Sequence, residues 1–195
     1  MPRVAAPESG THTGMRTQLP TTDEDVTAGR RVTPASLGAW LLKGNADRAD
    51  LPGRFAADPR ITSWCVQPSY RTRLMRAGQP VLFWASGSRH RGAGYGLWGL
   101  GRLTGPAERD PADGRWRVPL DLVVVDPAGR VGRDELRGDP ELADLEVLRQ
   151  PQAANPSFVT VRQFEVIRRY LDPSPSGPDG TSSRVEGDDA GTIGR

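Results

Sequence analysis

The chain has 195 residues, of which 36% are hydrophobic and 26% are charged, and its formal net charge is +2. This length and apolar content suffice for one compact domain and exclude a large multidomain machine. No apolar run approaches the roughly 18 residues of a membrane span, and the start of the chain does not resemble a secretory signal, so we expect a cytoplasmic protein without membrane contact.

Charge and aromatic residues are distributed unevenly along the chain. Residues 36–171 have a net charge of +5 and contain every aromatic residue, whereas residues 1–35 are neutral overall and residues 172–195 are acidic. Segments without aromatic residues cannot bury enough apolar surface to offset chain entropy. We therefore predict one domain at 36–172, between a disordered N-terminal tail (1–35) and a disordered acidic C-terminal tail (173–195). A basic domain permits an anionic partner.

The predicted strands of this domain are short, apolar and curved. The first is predicted at residues 39–43, and the second, buried on both faces, at 80–86. The repeated glycines of 94–103 are typical of a sharply bent strand. A long strand is predicted at 115–126, where Pro119 indicates a bulge or a sheet edge.

Three helical segments are predicted around these strands. Residues 50–55 have room for one helical turn at most, and residues 69–75 begin with a serine suited to a cap. Thr160 and Gln163 form a capping box, which predicts a final helix with one apolar face. Short curved strands with short helices predict an α+β fold containing a small β-barrel. Four strand aromatics are predicted in its core: Trp40, Phe83, Trp98 and Trp116.

Motifs typical of enzymes are absent or lack their structural context. Residues 94–99 match G-x-G-x-x-G, but the chain continues as strand and turn instead of a helix that could bind pyrophosphate. There is no G-x-S-x-G, H-E-x-x-H or C-x-x-C motif. His90 lies in a loop rich in Gly, Arg and Ser, which favours a solvated histidine over a general base. One cysteine and two histidines are too few for a metal centre. We expect no enzyme, cofactor or metal.

Two segments place polar groups beside aromatic rings. Lys43 and Asn45 end the first strand, and Trp64 precedes a proline-limited turn and the arginines Arg71 and Arg73. An exposed indole can stack on a base, and guanidinium groups can bind phosphates. The same residues, taken one at a time, also fit a core tryptophan and solvated charges.

The order of these motifs resembles the PUA-like superfamily, and within it the EVE domains and the related YTH readers of N6-methyladenosine. The YTH layout is matched by K-x-N at 43–45, Ser-Trp at 63–64, an apolar strand ending at Ser86, and then G-x-x-x-L-T. EVE proteins are matched by Tyr70 with Arg73, the strand with repeated glycines, and residues 148–160. The resemblance spans residues 37–171.

The resemblance implies a PUA-like α+β barrel that receives an extruded base. Trp64 would form one wall of the pocket and Phe158, or alternatively Trp84 or Trp98, a second wall. Asn45 and the backbone around Cys65 would bind the edge of the base, and Lys43 would lie at the rim or bind a phosphate. The complete predicted ligand-binding set is Lys43, Asn45, Ser63, Trp64, Cys65, Asn155 and Phe158. Backbone phosphates are expected to contact Arg71, Arg73, Arg89 and Arg91.

The leading hypothesis is a monomeric, non-enzymatic EVE-type module that binds a modified, methylated base in DNA or RNA. No nuclease or helicase accompanies it in the sequence, so any downstream action would need a partner effector protein. One alternative is a PUA-like enzyme that acts on a small nucleoside or amide, with Lys43 as its catalytic residue. The other is a protein-interaction module whose aromatic residues are all structural.

Overall fold

The computed structural model describes residues 31–87 and 94–171. The chain divides into two units, and every element below belongs to the second, Thr33–Arg195. Apart from residues 31–35, the predicted tails lie outside the described residues. None of the described helices has the length and hydrophobicity required to cross a membrane.

The second unit is built on one open, curved sheet of eight strands. The strands are β1 (Leu37–Asn45), β2 (Arg60–Cys65), β3 (Pro80–Ser86), β4 (Gly96–Leu103), β5 (Glu108–Arg109), β6 (Trp116–Val124), β7 (Val131–Gly132) and β8 (Ser157–Thr160). The main path through the sheet is β2-β6-β4-β3-β1-β8, with β5 on β6 and β7 on β4. The predicted α+β class with a curved sheet is confirmed. The sheet does not close into a ring, because β2 and β8 at the two ends of the path do not pair with each other.

Short helices complete the domain. They are α1 (Leu51–Ala57), α2 (Arg133–Gly138), α3 (Glu146–Arg149) and α4 (Val161–Leu171), with 3₁₀ turns at Thr72–Leu74, Pro127–Gly129 and Pro140–Leu142. Helix α1 exceeds the single predicted turn because the Asp50 side chain caps it, accepting from Gly53 N over 2.9 Å. The helix predicted at 69–75 is only a 3₁₀ turn, since the Thr72 hydroxyl binds both backbone polar groups of Ser69.

Side chains alternate along β1, so this strand contributes to two apolar cores. On the side of Leu42, the rings of Phe55, Phe83 and Trp98 meet edge to face at centroid distances of 5.3 and 6.4 Å. The side of Leu41 packs against the helices through Ala39, Leu41, Leu82, Trp84, Leu97, Val131, Leu136, Leu142, Leu145, Val147, Val159, Val166 and Ile167.

Local sequence signals explain the shape of the sheet and the start of α4. The ladder between β2 and β6 shifts register beside Pro119, which confirms the predicted bulge. A Cβ added at Gly99 would lie 2.6 Å from the main-chain oxygen of Val123, so glycine permits the close approach of β4 and β6. The capping box is confirmed, because Thr160 N donates to Gln163 Oε1 over 3.0 Å and Gln163 N donates to Thr160 Oγ1 over 3.3 Å.

Candidate nucleic-acid interface

Trp64 lies half-buried on β2, at one end of the sheet path. Its indole Nε1 donates to the main-chain oxygen of Lys43 over 3.1 Å. Its ring meets Phe83 edge to face, with centroids 4.8 Å apart and planes at 87°. The indole is therefore held in place by a hydrogen bond and a ring contact, while part of it remains open to solvent.

Gly44 makes room for this arrangement. It follows Lys43 on β1, and a Cβ added there would lie 2.6 Å from the ring of Phe83 and 3.3 Å from the ring of Trp64. Any other residue at this position would push the indole or the phenyl ring from its place. The small residue between Lys43 and Asn45 is thus part of what positions Trp64.

A guanidinium group lies over the Trp64 ring. The Cζ atom of Arg54 is 5.2 Å from the Trp64 ring centroid and 5.4 Å from that of Phe55. Arg54 is exposed on α1, whereas Phe55 beside it is buried. Sequence reasoning missed Arg54, because only the packing of α1 over β2 brings it to Trp64.

Three residues of the predicted ligand-binding set are exposed on β1 and β2: Asn45, Ser63 and Cys65. The Asn45 Oδ1 atom accepts from Asp47 N over 2.8 Å, and its Nδ2 atom has no partner among the described residues. The main-chain oxygen of Cys65 is already an acceptor, from Asn155. The Asn45 amide nitrogen and the Ser63 hydroxyl have no partner among the described residues, but alternation along β1 and β2 places these side chains on the faces opposite Gly44 and Trp64.

Asn155 joins the two ends of the sheet path. Its Oδ1 atom accepts from Lys43 N over 3.1 Å, and its Nδ2 atom donates to Cys65 O over 2.9 Å. Its main-chain oxygen accepts from Gln67 N over 2.6 Å. Because both polar atoms of the side chain bind the backbone, the structure gives Asn155 a positioning role beside Trp64.

The Lys43 side chain points to the side of β1 opposite Gly44. Its Nζ atom donates to Pro151 O over 3.3 Å and also to Ala153 O. Burial lowers the pKa of Lys43 below its ordinary value, the nearby charge of Arg71 lowers it as well, and Glu146 counteracts them in part. In the free protein, the ammonium group therefore orders the loop before β8 instead of facing the indole.

Arg71, predicted as a phosphate contact, is mostly buried in an internal ion pair. Its Nη2 and Nη1 atoms donate to the two carboxylate oxygens of Glu146 over 2.6 and 2.9 Å, and Nη1 also donates to Pro156 O over 3.0 Å. The Ser157 hydroxyl donates to the same carboxylate. Burial acts to lower the pKa of Arg71, but Glu146 and Tyr70 outweigh it and raise that pKa. Sequence reasoning missed Glu146.

The other predicted phosphate contacts divide into two groups. Arg73 is exposed on the 3₁₀ turn, where a phosphate could reach it. Arg89 and Arg91, together with His90, lie outside the described residues.

The candidates for a second aromatic wall are buried. Phe158 is 7% exposed, lies opposite Trp40 in the register of β8 with β1, and has the Arg71 guanidinium 5.0 Å from its ring centroid. Trp84 and Trp98 are also buried. In the free protein these rings offer no open face beside Trp64, because strand pairing directs them into the cores. Trp116, predicted in the core, is half-buried.

A separate cleft of about 470 Å³ lies where β7 meets α2. Its lining includes Gly87, Tyr95 and Gly132 and the charged residues Arg133, Asp134 and Glu135. Two carboxylates against one guanidinium make this cleft unfavourable for a polyanion. Within 31–87 and 94–171, no three His, Cys, Asp or Glu side chains are grouped so as to hold a metal ion.

No family model matches the chain, and neither does any curated protein. A crystal structure of a protein from Pseudomonas putida is 20% identical and covers 68% of this chain and 99% of its own, with a TM-score of 0.51. One from Pseudomonas syringae is 19% identical, with the same coverages and a TM-score of 0.50. The structure of human THYN1 in complex with 5-methylcytosine-containing DNA is 18% identical, covers 70% of this chain and 99% of its own, and has a TM-score of 0.49. Sequence identities as low as these indicate a similar fold and carry no information about the function of this chain.

Proposed function

We propose that this protein is a non-enzymatic module that binds DNA or RNA by stacking a modified, extruded base on Trp64. The observation that carries the proposal is that the indole is fixed by Lys43 O and Phe83 yet stays partly exposed. Trp40 and Trp98, by contrast, are completely covered in the core. A fixed ring loses little conformational freedom when a base stacks on it.

The energies of the contacts favour this use of the indole. Stacking of a base on an aromatic side chain contributes about 1–3 kcal/mol, whereas an exposed cation–π contact such as that of Arg54 contributes about 0.5–1 kcal/mol. A base therefore gains more on the indole than the guanidinium loses. Extrusion from a duplex costs a few kcal/mol, so single strands and weakened base pairs are the favoured ligands.

Recognition of the base would come from polar groups beside the ring. Stacking tolerates every base, so identity must come from hydrogen bonds to the edge of the base. A buried methyl group contributes about 0.8 kcal/mol, which corresponds to about fourfold in affinity. We expect a methylated base to be preferred by this modest factor.

The test is binding of fluorescently labelled single-stranded oligonucleotides that contain 5-methylcytosine, N6-methyladenine or no modification. Trp64→Leu should weaken binding about 5- to 150-fold through the loss of stacking. The matched control is Trp116→Leu, which removes another half-buried tryptophan from the neighbouring strand β6 and should leave affinity within about twofold. Equal affinities for the wild type and Trp64→Leu would contradict the proposal.

The contacts of Lys43 favour a binding module over the enzymatic alternative. Its Nζ atom has two main-chain carbonyl partners and lies on the side of β1 away from Gly44 and the indole. A catalytic amine would have to leave both carbonyls before it could attack a substrate. Turnover of free nucleosides that is abolished by Lys43→Ala would reverse this conclusion. As a binding module, the protein would depend on a partner effector protein for any downstream action.

A further inference from the structure

We propose that Arg54 is a gate and a second ligand residue of the Trp64 site. In the free protein its guanidinium covers the indole, and in the complex it moves to the backbone phosphate of the stacked nucleotide. This inference rests on the proposed function. It adds one residue, Arg54, and one ligand group, a phosphodiester of single-stranded nucleic acid. The base that stacks on Trp64 displaces the Arg54 side chain, which then binds this phosphodiester.

The first argument is that the Arg54 guanidinium and a stacked base cannot occupy the same face of the Trp64 ring. The Arg54 Cζ atom lies over the Trp64 ring at 5.2 Å from its centroid, within the roughly 6 Å of a cation–π contact. The ring is held from other directions, by Phe83 at a centroid distance of 4.8 Å and by Lys43 O at the indole N–H. A base that stacks on the covered face must take the place of the guanidinium.

The second argument is that only the Arg54 side chain has to move. The backbone of Arg54 is fixed within α1, since its N–H donates to Asp50 O over 3.1 Å and its main-chain oxygen accepts from Asp58 N over 3.0 Å. The helix is capped by the Asp50 side chain. Rotation about side-chain bonds is therefore enough to uncover the ring, and the same anchor keeps the guanidinium beside the nucleotide.

The third argument is the lack of a competing anion. No carboxylate among the described residues lies within ion-pair distance of Arg54, whereas Arg60 pairs with Asp121 and Arg71 with Glu146. Its contacts here are the ring faces of Trp64 and Phe55. A phosphate offers a guanidinium charge-assisted, bidentate hydrogen bonds that a ring face cannot, so the arriving nucleotide supplies the better partner.

The experiment measures the salt dependence of binding to a single-stranded oligonucleotide that contains 5-methylcytosine, from 50 to 300 mM NaCl. Each phosphate contact on a single strand contributes about 0.7 to the slope of log K against log salt. Arg54→Gln should reduce the slope by about 0.7 and weaken binding at 50 mM salt by about fivefold to tenfold. Arg54→Lys should retain the slope because it retains the charge. Arg162→Gln, on the exposed surface of α4, is the matched control and should leave the slope unchanged.

A second measurement tests the gate in the free protein. Arg54→Gln should increase acrylamide quenching of tryptophan fluorescence, because it uncovers a partly exposed indole, while Arg162→Gln should not. Thermal unfolding followed by circular dichroism checks that both variants are folded.

The outcomes separate this inference from the proposed function. If Trp64→Leu abolishes binding but Arg54→Gln leaves the slope unchanged, the stacking site stands and the role of Arg54 is overturned. Unchanged quenching in Arg54→Gln overturns the gate. If the wild type does not bind, or Trp64→Leu binds as well as the wild type, the proposed function and this inference fail together.

Discussion

The side-chain amide of Asn155 donates to the main-chain oxygen of Cys65 over 2.9 Å and so ties the segment before β8 to the end of β2. The same side chain accepts from Lys43 N over 3.1 Å. Since the Lys43 carbonyl holds the Trp64 indole, one asparagine connects both main-chain segments that position the ring.

Replacement of Asn155 by alanine should destabilise the domain and weaken oligonucleotide binding together. The partly buried bond from Lys43 N and the exposed bond to Cys65 O, at about 1 kcal/mol each, predict a loss of up to about 2 kcal/mol in the free energy of unfolding, measured by urea denaturation. Asn45→Ala is the matched control, because it removes one exposed bond to Asp47 N and should cost less than about 1 kcal/mol. A loss in Asn155→Ala no larger than that of the control would show that the bridge contributes little.

The ion pair of Arg71 with Glu146 predicts an asymmetric response to mutation. Both side chains are mostly buried, so Glu146→Ala leaves a guanidinium without its partner and should cost about 3 kcal/mol. The double replacement Arg71→Met with Glu146→Ala should recover most of this loss, because no unpaired charge remains. Urea denaturation of both single variants and the double variant gives the coupling free energy. Additive losses would contradict a coupled pair.

Features set by neighbouring residues could be predicted from the sequence. The capping box of Thr160 and Gln163 spans three residues and forms as its spacing indicates. The apolar run at 80–86 becomes β3 with the predicted bounds. Strands β2 and β8 were not predicted, because β2 has little apolar alternation and β8 has only four residues.

The candidate site could be predicted only in part, because several of its contacts join distant segments. Trp64 was identified from its own neighbours, and alternation along β1 already places Lys43 and Gly44 on opposite faces. The partner of Arg71 is 75 residues away in the chain, and no local pattern marks Glu146 as that partner. Arg54 reaches Trp64 only through the packing of α1 over β2, which a single sequence does not reveal.

Gly44→Ala should displace the aromatic pair. The added Cβ would lie 2.6 Å from Phe83 and 3.3 Å from Trp64, so we expect a loss of about 1–3 kcal/mol in the free energy of unfolding. Near-ultraviolet circular dichroism should change as the rings move, and oligonucleotide affinity should fall. Gly138→Ala is the matched control, since a Cβ there meets no atom within 4 Å. Equal stability of the two variants would indicate that the site adapts without strain.

Lys43 should make the stability of the domain depend on pH in the alkaline range. Burial holds its pKa below the ordinary value of 10.5, so between these two pKa values the unfolded chain binds more protons than the folded one. The penalty of the buried ammonium is fully present below the lowered pKa and is relieved as pH rises towards 10.5.

The comparison of the wild type with Lys43→Met isolates this effect. The free energy of unfolding of the wild type should increase relative to that of Lys43→Met as pH rises from 7 to 10.5, measured by urea denaturation at each pH. Tyr170, whose pKa is raised by its hydrogen bond to Asp139, also makes stability depend on pH, but it is present in both proteins and cancels in the difference. The variant also loses the bonds to Pro151 O and Ala153 O, which shifts its whole curve without changing the slope. Parallel curves would mean that the Lys43 ammonium is as well solvated in the folded domain as in the unfolded chain.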